Sequence, residues 1–386
     1  MSVIIRSGKR IARRLIDFAA LEWHRIVDER ALKQEKPRQA SDWQWRAVRR
    51  CPAPRLDAAG ATIEARLYVI GGYRSAADVL NVVDVLDMKT GRWTACWPTP
   101  PQMAQSHVAV ACDGRRFIYF VSGQLGNHCH PATDRAFALD TVTARFVELP
   151  PLPQPRYAAT AQLWNGKLHV VGGSMPDRFT PAAEHWSLGV HDGRAVESQW
   201  RAQPPIPSGG PHRASAVIDN RLLVFGGQVG DWIAVAGDPD CRCTGENIRE
   251  QYLSVCFALD THLRSWTTLR PMPHAVSHTE QSSFVIGSSI YLLGGQCALD
   301  ESNQMGLTDV IQRYDARLDE WSIVGTLPYR VKTCVAGHFD GAVCIVGGQR
   351  DRGPSDARPG RCVSQVWRAE LPGGRSRHNE CVDGHR

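Results

Sequence analysis

No stretch of this 386-residue chain holds the roughly 18–20 consecutive apolar residues that a membrane-spanning helix needs. No leader pattern opens it, so a reducing cytoplasm is the expected compartment. Charge of one sign is also scarce: 45 Lys and Arg stand against 39 Asp and Glu, a net of +6. Much of that excess lies at the ends, in Arg6, Lys9, Arg10, Arg13, Arg14, Arg375, Arg377 and Arg386. It gives mild attraction to anionic surfaces and excludes a nucleic-acid footprint, since no strip of interleaved aromatic and basic residues accompanies it. The twelve cysteines show no spacing that forces a disulfide framework. Several of them (Cys112, Cys256, Cys334, Cys344) fall at strand positions, where a thiol serves as a small apolar side chain. Metal-ligand spacing is missing too. Cys241-x-Cys243 is too close for a zinc knuckle, and His128-Cys129-His130 stands apart from it, so no metal or cofactor is expected.

What the chain does contain is a repeat. Six apolar, strand-like runs end in a glycine pair or its equivalent: Gly71-Gly72, Ser122-Gly123, Gly172-Gly173, Gly226-Gly227, Gly294-Gly295 and Gly347-Gly348. Their spacings are 51, 50, 54, 68 and 53 residues. A period near fifty describes one supersecondary unit that cannot bury its faces alone and must stack on its neighbours. Each unit reads as four strands. Tight turns join the first two strands at Glu64-Ala65, Asp113-Gly114, Asn165-Gly166, Asp219-Asn220, Ile286-Gly287 and Asp340-Gly341, mostly residue types that tolerate positive φ. The third strand often closes on an aspartate (Asp87, Asp140, Asp260, Asp315), and the fourth carries a large ring (Trp93, Phe146, Trp200, Trp266, Trp321).

The last unit, ending at Gln365–Leu371, has no fourth strand of its own. Trp45-Arg46-Ala47-Val48 supplies the missing piece, so the N-terminal segment is expected to close the ring and remove its exposed edges. The fold class is therefore all-β: a six-bladed propeller over 43–371, with a helical extension over 1–42 and a disordered tail over 372–386. The extension is amphipathic. Ile11, Leu15, Ile16, Ala19, Trp23, Ile26 and Val27 recur at helical spacing opposite Arg10, Arg13, Arg14, Asp17, His24 and Arg25. Residues 3–30 thus suit a peripheral membrane contact, a partner contact, or packing on the propeller's own rim.

The glycine pairs and the downstream ring resemble the kelch family over nearly the whole repeat region. The tyrosine usual between them is mostly replaced by Leu, Val or Phe. A nearer resemblance is to plant kelch-repeat proteins with an N-terminal membrane anchor, carried by Gly209–Ala214, Pro328–Thr333 and Gly348–Pro354. On the residues in hand the anchor is not expected in this chain. Six-bladed kelch mutarotases, which interconvert the anomers of an acidic sugar, are similar in blade count. No Glu, Asp and His triplet at four-residue steps appears, which sets aside the iron-dependent specifier proteins, and too few residues lie outside the repeats for a copper domain.

In such a ring the first strand of each unit is innermost, and the loops before it and after the second strand open on one face. Each loop before a first strand ends with a cation or imidazole: Arg55, His107, Arg156, His212 with Arg213, His278, and Arg330 with Lys332. The loops after the second strands repeat a glutamine (Gln124, Gln228, Gln296, Gln349), the last continuing into Arg350 and Arg352. A polar, cationic mouth of this kind suits an anionic sugar or an acidic peptide. Glu280 follows His278 by two residues in an expected strand, which puts both on the same side as a proton shuttle. Two functions follow: a carbohydrate-type ligand site with mutarotase or epimerase chemistry at Glu280 and His278, or a non-catalytic protein-interaction module.

Overall fold

The computed structural model describes residues 42–75, 78–126, 132–231, 250–260, 264–301 and 303–372. The expected N-terminal helix with its membrane or partner contact, the C-terminal tail, and the loops holding His128–His130 and Cys241–Cys243 lie outside those residues. Among the described residues every regular element is a strand.

Six antiparallel sheets carry the repeat. In chain order their first strands are Ala59–Ile63, Ala109–Cys112, Thr160–Trp164, Ala214–Ile218, Ser283–Ile286 and Val335–Phe339. The second strands, such as Leu67–Ile70 within Arg66–Ile70, are buried on both faces because a sheet lies on each side of them. The fourth strand of the first sheet, Arg92–Pro98, alternates in exposure along its length instead. Apolar clusters fill the gaps between consecutive sheets, for example Tyr68, Val83 and Val85 of the first against Ile118, Phe120 and Leu139 of the second. Leu67, Val69 and Leu86 of the first pack against Val335, Cys344 and Val346 of the sixth. The first strands contact one another in sequence order and the sixth returns to the first, except that the fourth meets the second strand of the fifth sheet, Ser289–Leu293. The arrangement fits a β-propeller.

The turn chemistry read from the sequence explains the hairpins, with two shifts. Asn165-Gly166, Asp219-Asn220 and Asp340-Gly341 all take positive φ and join strands through two residues. In the second sheet the connection is longer, Asp113 to Arg116, because the Asp113 carboxylate accepts from the amides of Arg115, Arg116 and Phe117. In the fifth the turn is Gly287-Ser288, one residue later than expected. Ser122 holds the place of a first glycine at φ 55°. Its hydroxyl lies 2.7 and 2.9 Å from the carbonyls of Thr133 and Arg156, which offsets the strain of the left-handed conformation.

Arg46–Ala47 pairs antiparallel with Val366–Glu370, Arg46 opposite Arg368 and Ala47 opposite Trp367. The sixth sheet is therefore assembled from both ends of the described chain. Indole N–H groups then stitch the third, fourth, fifth and sixth sheets each to the one before it. Trp200 donates to the Pro150 carbonyl, Trp266 to Pro204, Trp321 to Arg270 and Trp45 to Thr326, each at 2.9 Å. Trp45 thus takes, in the sixth sheet, the place that the other outer tryptophans hold in theirs. Trp43 stacks on it at 5.5 Å and donates to Val324.

Candidate functional site

Two residues before most of the first strands the backbone crosses into the left-handed region. The positions are Asp57, His107, Ala158, His212, His278 and Thr333, with φ between 45° and 59°. They are joined into a belt. Ala158 N–H donates to the His107 carbonyl, His212 to Ala158, His278 to His212 and Thr333 to His278, at 3.0–3.3 Å. Asp57 N–H donates to the Thr333 hydroxyl at 3.2 Å. One residue from each unit therefore meets at the axis, and three of the six are histidines.

Their side chains form a row of charge-bearing groups. Asp57 lies 3.5 Å from His107 Nε2. The same nitrogen is 3.4 Å from the Arg178 guanidinium, which also donates to Gln124 at 2.9 Å and stacks over Tyr157. Arg178 faces Asp231 at 3.9 Å, and Asp231 faces His212 Nε2 at 3.6 Å. His212 Nδ1 meets Glu280 at 2.8 Å, and His278 stacks on the His212 ring at 3.6 Å. Burial disfavours a charge on His212, but Glu280 and Asp231 outweigh it and raise its pKa to about 10, so the ring is an imidazolium. His107 and His278 are held well below 6.5 by burial first, then by the cations around them. Burial also raises Asp57, against the pull of Lys332 and His212. Asp231 stays ionised against its own burial because Arg178 and His212 face it.

The residues expected at the mouth occupy different registers, and this separates them. His107, His212 and His278 are in the belt. Arg55 and Arg156 lie two residues before it and point into the gaps between sheets. Arg55 is buried against Asp84 and the carbonyls of Val69 and Gly71. Arg156 meets Glu184 at 2.9 Å, the Pro155 carbonyl and the Trp186 face. Arg213 follows the belt by one residue and donates to the Gly209 carbonyl at 2.8 Å, packed where a Cβ on Gly227 would fall. Arg330 and Arg350 share Asp351, and Arg350 lies over Tyr329. Lys332 donates to Gln296.

The glutamines are likewise bound within the fold. Gln228 accepts from Ser277 and donates to the Gly230 carbonyl. Gln296 donates to Glu250 and Tyr252, and Gln349 donates to the Gly360 carbonyl. Arg352 remains exposed, donating to the Pro359 carbonyl. Glu280 precedes the fifth first strand, which starts only at Ser283, so its partner is His212 and not His278. Asp57 and Arg178 escaped the sequence reading. Counting back two residues from each first strand finds Asp57; nothing local marks Arg178, whose role depends on a loop reaching across to the second unit.

On the other side of Glu280 the central channel opens as a cavity of about 550 Å³, lined by the first strands of all six sheets. Among the described residues no group of three or more His, Cys, Asp or Glu is placed to hold a metal ion.

A kelch-motif family model matches residues 54–96. The chain is 40% identical over 333 residues to a kelch repeat-containing protein of Arabidopsis thaliana, covering 86% of this chain and 77% of that one. It is 24% identical over 304 residues to the kelch-like protein terF of Aspergillus terreus, at 76% and 61% coverage. It is 23% identical over 315 residues to kelch-like protein 23 of Homo sapiens, at 73% and 51%. With repeats, sheets and this similarity in agreement, the chain belongs to the kelch-repeat proteins.

Proposed function

We propose that this chain is a non-catalytic protein-interaction module, a ring of six blades whose loop face carries the contact. One observation supports this above others: the groups along the axis that resemble catalytic machinery are bound to charged neighbours from adjacent sheets. Glu280 and Asp231 hold His212 between them, and Arg178 faces Asp231. Such pairs fix the blades relative to one another at the cost of desolvation, and they leave a rigid platform on which loops present side chains. An acid-sugar mutarotase would need a free arginine clamp, and Arg156, Arg213 and Arg330 are occupied by protein oxygens.

The hairpin Gln349–Gly353 and Asp356–Cys362 rises on the loop face with Arg352 and Arg358 exposed, Arg358 paired with Asp356 at the solvent surface. An acidic peptide segment is the class of partner it suits. Affinity capture with the full chain, quantified against the double variant Arg352→Glu, Arg358→Glu, tests the reading. The partner is expected to be lost in that variant. It should be retained in Arg115→Glu, Arg194→Glu, at the opposite end of the strands. Loss only in the second variant, or no partner above background with wild type, overturns it.

A further inference from the structure

The third sheet carries an addition on the side away from the loop face. Its third strand, His185–His191, turns back through Asp192 and Gly193 onto Arg194–Ala195. Gly193, at φ 69°, sets its backbone against Phe117 of the second sheet, so closely that a Cβ there would meet the ring at 2.5 Å. This hairpin, the Asp113–Arg116 turn and the start of the strand Arg145–Leu149 enclose a groove of about 590 Å³ between the second and third sheets. Phe117, Ala138 and Val147 give it an apolar lining.

Charge in this groove is unevenly committed. Arg116 and Asp140 neutralise each other through two hydrogen bonds at 2.8 and 2.7 Å. Asp113 gives its carboxylate to the amides of Arg115, Arg116 and Phe117. Asp192 is exposed and lies 3.5 Å from His191. Arg115, Arg145 and Arg194 line the same groove, are exposed, and make no ion pair or side-chain hydrogen bond among the described residues. Three guanidinium forks from three separate segments thus line one space that holds a single uncommitted carboxylate, so an anion is attracted there. A carboxylate has two oxygens and one charge, which suits one fork. A phosphate monoester has three terminal oxygens and a charge of about −1.5 to −2 at pH 7, which suits all three. The volume lies within the range of about 300–1,000 Å³ usual for small organic ligands, more than a bare phosphate fills. The apolar lining favours an aromatic group beside the phosphate.

We propose that this groove binds a phosphate monoester, with the phosphate on Arg115, Arg145 and Arg194 and the organic part on Phe117, Ala138 and Val147. The site lies at the opposite end of the strands from the loop face, and its fate does not depend on the protein-binding reading above. The variant Arg115→Glu, Arg194→Glu, which keeps the loop-face partner, is expected to lose this ligand, so the two sites fail separately. Phenyl phosphate is the probe, with benzoate and phenol as controls, in isothermal titration calorimetry on the full chain at low ionic strength. Phenyl phosphate is expected to bind at least tenfold more tightly than benzoate, and phenol not at all. Arg145→Gln and Arg194→Gln, both at exposed positions, are each expected to weaken it by about tenfold, the worth of one hydrogen bond to a charged group. Arg317→Gln, exposed on the fifth sheet, is expected to leave it unchanged. A nucleoside monophosphate and a tyrosine-phosphorylated peptide then separate a free phosphate from one carried on a protein, and tighter binding of either supports the site. No binding of phenyl phosphate overturns the proposal, as does benzoate binding equally well. So does an affinity unchanged in either Arg145→Gln or Arg194→Gln, or an equal loss in Arg317→Gln.

Discussion

His212 sits with one nitrogen on Glu280 and the other facing Asp231, while His107 and His278 beside it are buried without a charge. Their linkages to folding have opposite signs. His107 and His278 are depressed below 6.5, so the stability they contribute is present above that pH. It is lost as pH falls and the unfolded chain takes up protons the fold refuses. His169 and His185, lowered by burial to about 4 and about 3, act on the same acid side. His212 is raised to about 10. Its contribution is complete below pH 6.5, declines as pH rises, and is gone near its folded value. The melting temperature is therefore expected to peak near pH 6.5 and to fall on both sides. Scanning calorimetry of His212→Gln should show a flattened alkaline limb with the acid limb kept. An alkaline limb as steep as wild type would disprove the assignment of charge to His212.

The outer strands work through their tryptophans. Trp200, Trp266, Trp321 and Trp45 each donate to a carbonyl of the preceding sheet, whereas the Trp93 indole N–H is buried with no partner. Replacing a tryptophan by phenylalanine keeps most of the buried ring and removes the donor. Trp200→Phe is expected to cost about 1 kcal/mol in urea unfolding, the net worth of one hydrogen bond, and Trp93→Phe close to nothing. Trp45→Ala also empties a buried site between the fifth and sixth sheets and is expected to cost about 3–5 kcal/mol. Equal losses in the two phenylalanine variants would show that the stitches contribute nothing beyond packing.

At the scale of the whole molecule, stability depends on the ring being shut. Arg46–Ala47 covers the edge of Val366–Glu370, which otherwise presents unpaired amides and carbonyls to any other strand. A chain starting after Val48 loses this strand together with Trp43 and Trp45. It is expected to self-associate in size-exclusion chromatography and to unfold at lower urea concentration. A monomer of wild-type stability would mean that the closing strand is dispensable.

The sequence by itself determined the repeat, most of the turns, the strand that closes the last sheet and the aromatic on the outer strand. Each of these is written in local patterns: a glycine pair, an Asn-Gly, a tryptophan at a fixed distance. It also placed cationic residues near the start of every first strand. Only the tertiary structure decided which of them meet. Arg55 and Arg156 lie two positions before a belt residue and Arg213 one position after, and the left-handed backbone at the belt turns the chain between these registers. That offset sends the arginines between sheets and the histidines to the axis. Arg178 and Asp231 join them from loops of neighbouring units, through distances that no linear spacing encodes.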